Sequence, residues 1–216
     1  YIALEELWKK PDFLNAREFA TLANELFANS NMEANPEFSN PESLGKGTAW
    51  IDAIFQTGFT QNHDLSVSGG TKNTKASLSL GYLDQDGTMI ETWYKRYTGR
   101  LTLDLVANNY LKFGSSLAFT NTQAKGQRNN ELRVGIFNLA QQMYPNLGIN
   151  DVIDGSTAYY TSQADNPVLR AKSIDNRMEN LRLYGNSFAE LEIFKGLKLR
   201  STIGLDSYNT KNTSWE

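Results

Sequence analysis

The sequence contains no cysteine and only one histidine, His63. The absence of cysteine excludes disulfide scaffolds and thiolate-ligated zinc or iron–sulfur sites, and a single histidine excludes His-rich metal sites. The chain also lacks a large excess of one charge, because 21 Lys and Arg nearly balance 24 Asp and Glu, for a net charge of −3. Proteins that bind nucleic acid carry a basic surface, so we expect no nucleic-acid partner.

Long apolar runs are missing as well, because the longest span only a few residues. The sequence therefore predicts neither an α-helical membrane span nor a signal peptide. Hydrophobic residues nevertheless make up 40% of the 216 residues and charged residues 21%, a composition that predicts a folded chain. The first residue is Tyr1 rather than Met, which suggests that sequence is missing upstream.

The N-terminal region predicts a helix followed by a loop. Apolar residues recur at helical spacing between Asn15 and Asn29, and Asn15 with Glu18 resembles a capping box. Pro36 and Pro41 then block further helix. We expect residues 1–60 to form a helical and loop segment that precedes the first strand.

After His63 the apolar period changes from 3.6 to 2, and residues 61–216 predict part of a β-barrel with about six strands. The connections between these strands alternate in length. Tight turns are predicted at 70–74, 107–110 and 194–196. Long loops are predicted at 84–94 and 121–180, and the second contains a helical apolar face that ends before Pro145.

Tight turns at one rim, long loops at the other and strands of about ten residues are typical of a transmembrane β-barrel. We therefore expect an all-β fold, namely an antiparallel up-and-down transmembrane barrel segment with short helices in the N-terminal and long-loop regions. Bacterial barrels have an even number of strands, starting at about 8, so six strands indicate a piece of a larger barrel.

A soluble or surface-attached β-sandwich that binds carbohydrate is the alternative, because a sandwich also buries one face of each strand. Two features favour the barrel over it. One is the difference between the two rims, and the other is a polar strand face rich in charge, which suits a wet lumen. The residues of that face are Arg100, Asp104, Lys112, Gly114, Ser116, Arg182, Glu190, Glu192, Lys198, Arg200 and Thr202.

A series of short segments occurs along the chain in a recognisable order. They are LNAREF at 14–19, WIDAIF at 50–55, NHDLSVSGG at 62–70, LGYLDQDG at 80–87, KRY at 95–97, LKFG at 111–114, YP at 144–145, DG at 154–155, NP at 166–167, GNSFAE at 185–190 and KGLK at 195–198. With these segments the sequence resembles the SusC/RagA-type TonB-dependent transporters of Bacteroidetes outer membranes. The resemblance covers nearly the whole chain.

The resemblance implies an outer-membrane barrel of about 22 strands with an N-terminal plug. It implies import of glycans or oligopeptides with a SusD-like surface lipoprotein, energised by TonB through a plug region absent here. Family topology would place the tight turns in the periplasm and the long loops outside. Residues 84–94 and 121–180 would then face the lipoprotein or the substrate, and the strands would face outer-membrane lipid.

Glu190 and Glu192 lie at i and i+2 on one strand face, about 6.6–6.8 Å apart, a spacing that suits a glycosidase carboxylate pair. A ladder of cross-strand charge pairs with Lys198 and Arg200 explains them better. We therefore predict no hydrolytic activity, no catalytic residue and no cofactor.

Two further motifs are better explained by turns. The GGTK run at 69–72 lacks the rest of a phosphate-binding loop, and the DQDG run at 84–87 has Lys95 where a calcium loop needs a glutamate. Both predict hairpin turns, and no metal site is predicted. His63, just before a strand, is expected to form a hydrogen bond at the rim.

Aromatic residues are the remaining candidates. Those near strand ends predict the interfacial girdle of a membrane barrel. Three tyrosines in the long loop, Tyr144, Tyr159 and Tyr160, are candidates for binding substrate, because binding residues are often carried on loops. The girdle candidates are Trp50, Phe55, Phe59, Trp93, Tyr94 and Tyr97.

Overall fold

A computed structural model describes residues 1–7, 9–126, 135–150 and 166–215. Its strands form one antiparallel sheet in which every strand pairs with its neighbours in chain order. Within the described residues the sheet is open, with the first and last strands as its edges. The strands are β1 (Ile2–Glu5), β2 (Gly58–Gly70), β3 (Thr74–Asp86), β4 (Trp93–Val106), β5 (Leu111–Lys125), β6 (Asp175–Phe194) and β7 (Leu197–Trp215).

The helices are short and lie between strands: α1 (Ala16–Asn29), α2 (Trp50–Ile54), α3 (Ile136–Gln142) and α4 (Pro167–Ser173). Helix α1 begins as predicted, because the Asn15 side chain accepts a hydrogen bond from the backbone N–H of Glu18 at 3.0 Å. The Glu18 carboxylate accepts one from the backbone N–H of Asn15, also at 3.0 Å. In the described part of the chain, no helix has the length and apolar character needed to span a membrane.

The connections confirm the predicted difference between the rims. At one rim, residues 71–73, 107–110 and 195–196 make short turns. At the other, residues 6–57, 87–92 and 126–174 make longer connections, and we call this edge the long rim. Residues 1–60 therefore do not simply precede the first strand, because they contain β1 and form a long-rim loop.

Four predicted details are wrong: the described residues form seven strands rather than six, both long loops are shorter than expected, and the long strands are longer than expected. The connection predicted at 84–94 is 87–92, and the one predicted at 121–180 is 126–174. The strands β2 to β7 have 13 to 20 residues rather than about ten. Near the long rim both strand faces are polar, so the alternating pattern fades while the backbone hydrogen bonds continue.

The register gathers the apolar side chains of all six long strands on one face. For example, Val67, Leu78, Leu101 and Leu117 are direct cross-strand partners in one row. These side chains are exposed, from 39% for Leu191 to 72% for Ile203, so no second layer of the described residues covers them. This apolar face consists of Leu65, Val67, Leu78, Leu80, Leu101, Leu103, Leu105, Phe113, Leu117, Phe119, Leu181, Leu191, Leu199, Ile203 and Leu205.

A soluble β-sandwich would bury this face against a second sheet. The buried side chains of the described residues lie instead among the helices, in what we call the helical cluster. The cluster packs at the long rim, where Ile90 N donates to Ile54 O at 3.0 Å. Its members are Trp50, Ile51, Ile54, Ile136, Ala140, Met143, Val168 and Ala171.

Two glycines in the sheet lie beneath phenylalanine rings of the next strand. Gly99 is opposite Phe119 on the apolar face, and Gly114 is opposite Phe188 on the other face. A Cβ added to Gly114 would come within 2.1 Å of the Phe188 ring, and one added to Gly99 within 2.2 Å of Phe119. The aromatic ring thus fills the space that the missing side chain leaves.

Candidate functional site

The second face of the sheet, which we call the polar face, carries a ladder of charges near the short turns. The Lys198 amine lies 3.5 Å from a Glu190 carboxylate oxygen and 3.9 Å from one of Glu192. Arg200 lies 3.8 Å from the other oxygen of Glu190 and directly opposite it in the register. The predicted ladder is confirmed, and both carboxylates are engaged with cations rather than poised as a free acid and base.

Further along the same face, Arg182 and Asp206 form a bidentate pair. Arg182 Nε and Nη2 donate to the two Asp206 carboxylate oxygens at 3.0 and 2.8 Å. In the register Arg182 is opposite Tyr208 and Asp206 is opposite Tyr184, so the ions occupy one diagonal and the tyrosines the other. We call these four residues the diagonal quartet.

On β2 to β4 the polar face carries several small hydroxyl side chains among charged ones such as Arg100 and Asp104. Ser66 Oγ donates to Ser79 Oγ across the strand pair at 2.9 Å. A cavity of about 400 Å³ opens beside Ser68, Ser77 and Thr102 near the short turns. The face therefore mixes hydroxyl and charged groups on β2 to β4, whereas β6 and β7 add the exposed rings of Tyr184 and Tyr208 to their charges.

Tyr144, one of the three predicted substrate residues, lies at the end of α3 and is held by two partners. Its ring packs edge-on against Phe19 of α1 with centroids 5.2 Å apart. Its backbone carbonyl accepts a hydrogen bond from the Trp50 indole at 2.9 Å. The ring is half-buried, whereas Tyr159 and Tyr160 lie outside the described residues.

Gly47 makes this arrangement possible. Thr48 N donates to Pro145 O at 2.7 Å, which brings the loop before α2 against the end of α3. At Gly47 the φ angle is +64°, and an added Cβ would lie 2.1 Å from the Pro145 carbonyl oxygen. Only glycine combines this backbone conformation with so close an approach.

A cleft of about 1050 Å³ runs along Tyr144 at the long rim. Its floor includes Phe19 and Trp50, and residues 10–15 form its opposite wall. The Lys10 amine donates to an Asp52 carboxylate oxygen at 2.6 Å, which ties that wall to α2. The cleft combines aromatic surface with a few polar groups, as ligand pockets do.

A row of rings ends the apolar face on its long-rim side. Tyr82 stacks nearly parallel to His63 at 6.4 Å and lies 5.1 Å from Tyr97. One step further, Asp84 pairs with Lys95 at 3.5 Å and accepts a hydrogen bond from the Tyr82 hydroxyl at 2.7 Å. The apolar surface thus passes through a band of amphipathic rings to charged residues, as at the edge of a membrane barrel.

The girdle prediction is wrong for Trp50, Phe55 and Tyr94, and Tyr94 fails because it alternates with Trp93 and so lies on the polar face. Phe59, Trp93 and Tyr97 lie on strand positions of the apolar face. Trp50 is 4% exposed inside the helical cluster and Phe55 packs against it, so neither belongs to the girdle. Sequence proximity to a strand end could not distinguish these residues, because α2 precedes β2 directly.

The motifs interpreted as turns and rim contacts also have clear positions. Thr71 N donates to Thr74 O at 2.6 Å and closes the hairpin predicted at the GGTK run. Asp84 and Asp86 belong to β3, and the turn begins at Gly87. His63 lies inside β2 rather than just before a strand, and it forms its hydrogen bond with Gln61 of the same strand at 3.2 Å. Among the described residues no group of three potential metal ligands comes together.

These features define a class of protein. A long-stranded antiparallel sheet with one exposed apolar face, one polar face, a ring of aromatics and structured loops at a single rim is a section of a membrane barrel wall. The two faces alternate residue by residue along each strand, as the wall of a barrel between lipid and lumen requires.

Comparisons with known proteins agree with this class. The chain is 29% identical over 209 residues to TonB-dependent receptor P3 of Formosa agariphila, covering 93% of this chain and 20% of that receptor. It is 30% identical over 122 residues to TonB-dependent receptor SusC of Bacteroides thetaiotaomicron, covering 56% of this chain and 11% of SusC. Models of protein families gave no match to the chain.

Solved structures give the same result. A structure of the RagAB peptide transporter superposes with a TM-score of 0.73 at 23% identity, covering 99% of this chain and 28% of that one. The RagAB peptide importer in its closed-closed state gives 0.62 at 25% identity, covering 96% and 24%. The resemblance stated from the sequence is confirmed as a similarity: the chain is similar to SusC and to other TonB-dependent receptors, and its fold matches part of the RagAB structures. The chain spans between 11% and 28% of the length of these proteins.

Proposed function

We propose that this chain forms part of the barrel wall of an outer-membrane TonB-dependent transporter, which imports glycans or oligopeptides with a SusD-like surface lipoprotein. The exposed apolar face carries this proposal, because its fifteen or so large side chains have no cover among the described residues and lipid is the solvent that suits them. The names of the similar proteins, receptor and peptide transporter, support it and indicate no enzymatic role.

The orientation follows from the two rims. The short turns would lie in the periplasm, and the longer connections, residues 87–92 and 126–174 as well as 6–57, would lie outside. There the helical cluster would face the lipoprotein or the substrate. TonB would act through a plug encoded elsewhere, and the polar face would line the lumen.

Fractionation of cells that produce the full-length protein tests this proposal. We expect the protein in the outer-membrane fraction, released only by detergent and migrating faster on gels before boiling than after, as folded barrels do. A protein that is monodisperse in buffer without detergent would instead support the β-sandwich that binds carbohydrate, and would refute the barrel.

We also propose that Tyr144 contacts substrate together with Tyr159 and Tyr160. The position of Tyr144 along the rim cleft supports this role. Its carbonyl and ring contacts with Trp50 and Phe19 would fix the orientation of a binding group.

The full-length transporter with all three tyrosines changed to Ala should bind and import substrate at least about tenfold less well, which corresponds to about 1.4 kcal/mol. Tyr110→Ala, in a turn at the opposite rim, is the matched control. Unchanged binding and uptake in the triple variant, at equal amounts in the outer membrane, would refute this role.

A further inference from the structure

The diagonal quartet on β6 and β7 differs from the rest of the polar face in presenting uncovered aromatic rings. Tyr184 is 47% exposed although β6 has a hydrogen-bonded strand on each side. Its cross-strand partner on β5 is Ala118, and its diagonal neighbour on β7 is Gly204. These small residues leave the space in front of the ring open. Neither Tyr184 nor Tyr208 uses its hydroxyl in a hydrogen bond with any described residue.

Phe188, the comparable ring on the same face, is not open to a ligand. Phe188 covers Gly114 on one side, and the Arg200 guanidinium lies 3.7 Å from its ring centroid. Phe188 is therefore engaged in holding the sheet and the charge ladder together. In the quartet the guanidinium of Arg182 lies further from its neighbouring ring, 5.9 Å from the Tyr184 centroid, and is directed to Asp206.

The charge of the quartet is balanced within it. Arg182 spends two of its five N–H donors on Asp206, so three remain, and each carboxylate oxygen retains lone-pair capacity. The pair thus offers donors and acceptors side by side at no net charge. A free peptide terminus or an acidic group would need an unpaired opposite charge, which the quartet does not supply.

A saccharide ring matches this arrangement. Its C–H groups pack on the electron-rich face of a tyrosine ring, and its neighbouring hydroxyls each donate and accept hydrogen bonds. Two rings on one diagonal and a donor–acceptor pair on the other would contact adjacent sugar units of a neutral chain. An extended peptide, by contrast, is usually recognised by backbone pairing at a sheet edge, and the quartet lies on a sheet face.

We infer that Tyr184 and Tyr208, with the Arg182–Asp206 pair between them, form a binding site for a neutral oligosaccharide on the polar face. This inference rests on the proposed function, because a saccharide meets this face when the face lines the lumen through which substrate is imported. The site lies on the strands, apart from Tyr144 at the long rim.

Equilibrium binding to the detergent-solubilised full-length transporter tests the site. The probes are neutral linear glucan hexasaccharides with α-1,4, β-1,4 and β-1,3 linkages, and a mixture of unlabelled hexapeptides for comparison. At least one saccharide should bind, and the double variant Tyr184→Ala with Tyr208→Ala should lower the binding affinity for that saccharide by about tenfold or more. The double Phe variant, which keeps both rings, should stay within about threefold of the parent, and Tyr110→Ala should match the parent.

Loss of the fold is checked by gel migration before and after boiling. If no hexasaccharide binds, if the double Ala variant binds saccharide as the parent does, or if it loses only peptide binding, the site is refuted. Those results leave the barrel proposal intact as long as the protein is in the outer membrane and imports peptides. Recovery of the protein in buffer without detergent would refute the barrel proposal itself.

Discussion

The helical cluster and the sheet differ in where their apolar side chains lie: the cluster buries them inside the protein and the sheet exposes them. In the cluster, Ile54 and Ile136 are almost completely buried by neighbouring side chains of the same chain. In the sheet, the large side chains of the apolar face remain about half exposed although each strand is hydrogen-bonded to its neighbours. The cluster is therefore stabilised by its own packing, whereas the sheet depends on an apolar solvent outside the protein. Different substitutions should damage each region.

The largest effect is expected from a cavity in the cluster. Ile54→Ala in the full-length protein should destabilise the cluster by about 2–5 kcal/mol, because it removes a fully buried side chain. Hydrogen exchange of α3 amides should then accelerate by more than about tenfold. Leu22→Ala, at a half-exposed position on α1, is the control and should change exchange little. Equal exchange in Ile54→Ala and the parent would contradict the assignment of the cluster as a core.

A charge on the apolar face comes next. Leu117→Arg should reduce the free energy of unfolding in lipid vesicles by about 2–4 kcal/mol, because the guanidinium would lie near the middle of the bilayer. Ser116→Arg places the same side chain one residue away on the polar face and should cost well under half as much. Denaturant titration of both variants measures the difference. If the two costs are equal, the assignment of lipid to one face and water to the other fails.

The glycine beneath Phe188 provides a smaller test within the sheet. Gly114→Ala should cost about 1–3 kcal/mol in the same titration, because the new methyl group collides with the Phe188 ring. Gly69→Ala is the matched control, since nothing lies within 4 Å of a Cβ at that position. Equal stability of the two variants would mean that the ring moves aside freely and does not lock the strand pair.

The smallest effect is expected in the charge ladder. Lys198→Ala should cost less than about 1 kcal/mol, because the pairs with Glu190 and Glu192 are long and partly exposed. The same titration at low and high salt measures it, and any loss should shrink as salt is added. A loss of several kcal/mol that salt does not reduce would show that the ladder acts as a buried network.

The sequence predicted most of the structure where the strands carry the apolar face, and less of it in the loops and at the strand ends. The capping box of Asn15 and Glu18 predicted the start of helix α1, and the alternation of apolar and polar residues predicted the two faces of β2 to β7. The strand ends toward the long rim could not be predicted, because both faces carry polar residues there, such as Gln85 on one face and Gln123 on the other. Strand β1 has only four residues, too few for an alternating pattern to stand out from the loop that follows.

The candidate sites divide in the same way. The ladder of Glu190, Glu192, Lys198 and Arg200 was predictable because strand register is set by pattern and turn. The quartet of Arg182, Tyr184, Asp206 and Tyr208 was missed, although strict alternation places all four on one face. The alternation alone carried this signal, because the pairing of β6 with β7 shifts by one residue between Glu192 and Phe194 and the turn at 195–196 does not set the register of the quartet.

The contacts between Trp50 and Tyr144 and between Thr48 and Pro145 have a consequence for how the chain assembles. The pairs β2–β3, β4–β5 and β6–β7 are joined by tight turns, so the hydrogen bonds of each pair can form outward from its own turn. Pairing β1 with β2 and β5 with β6 requires closing the excursions 6–57 and 126–174, whose entropic penalty grows with their length. Because the helical cluster joins these two excursions to each other, folding of one shortens the search for the other. A few small helices outside the sheet can thus coordinate the order in which distant hairpins come together.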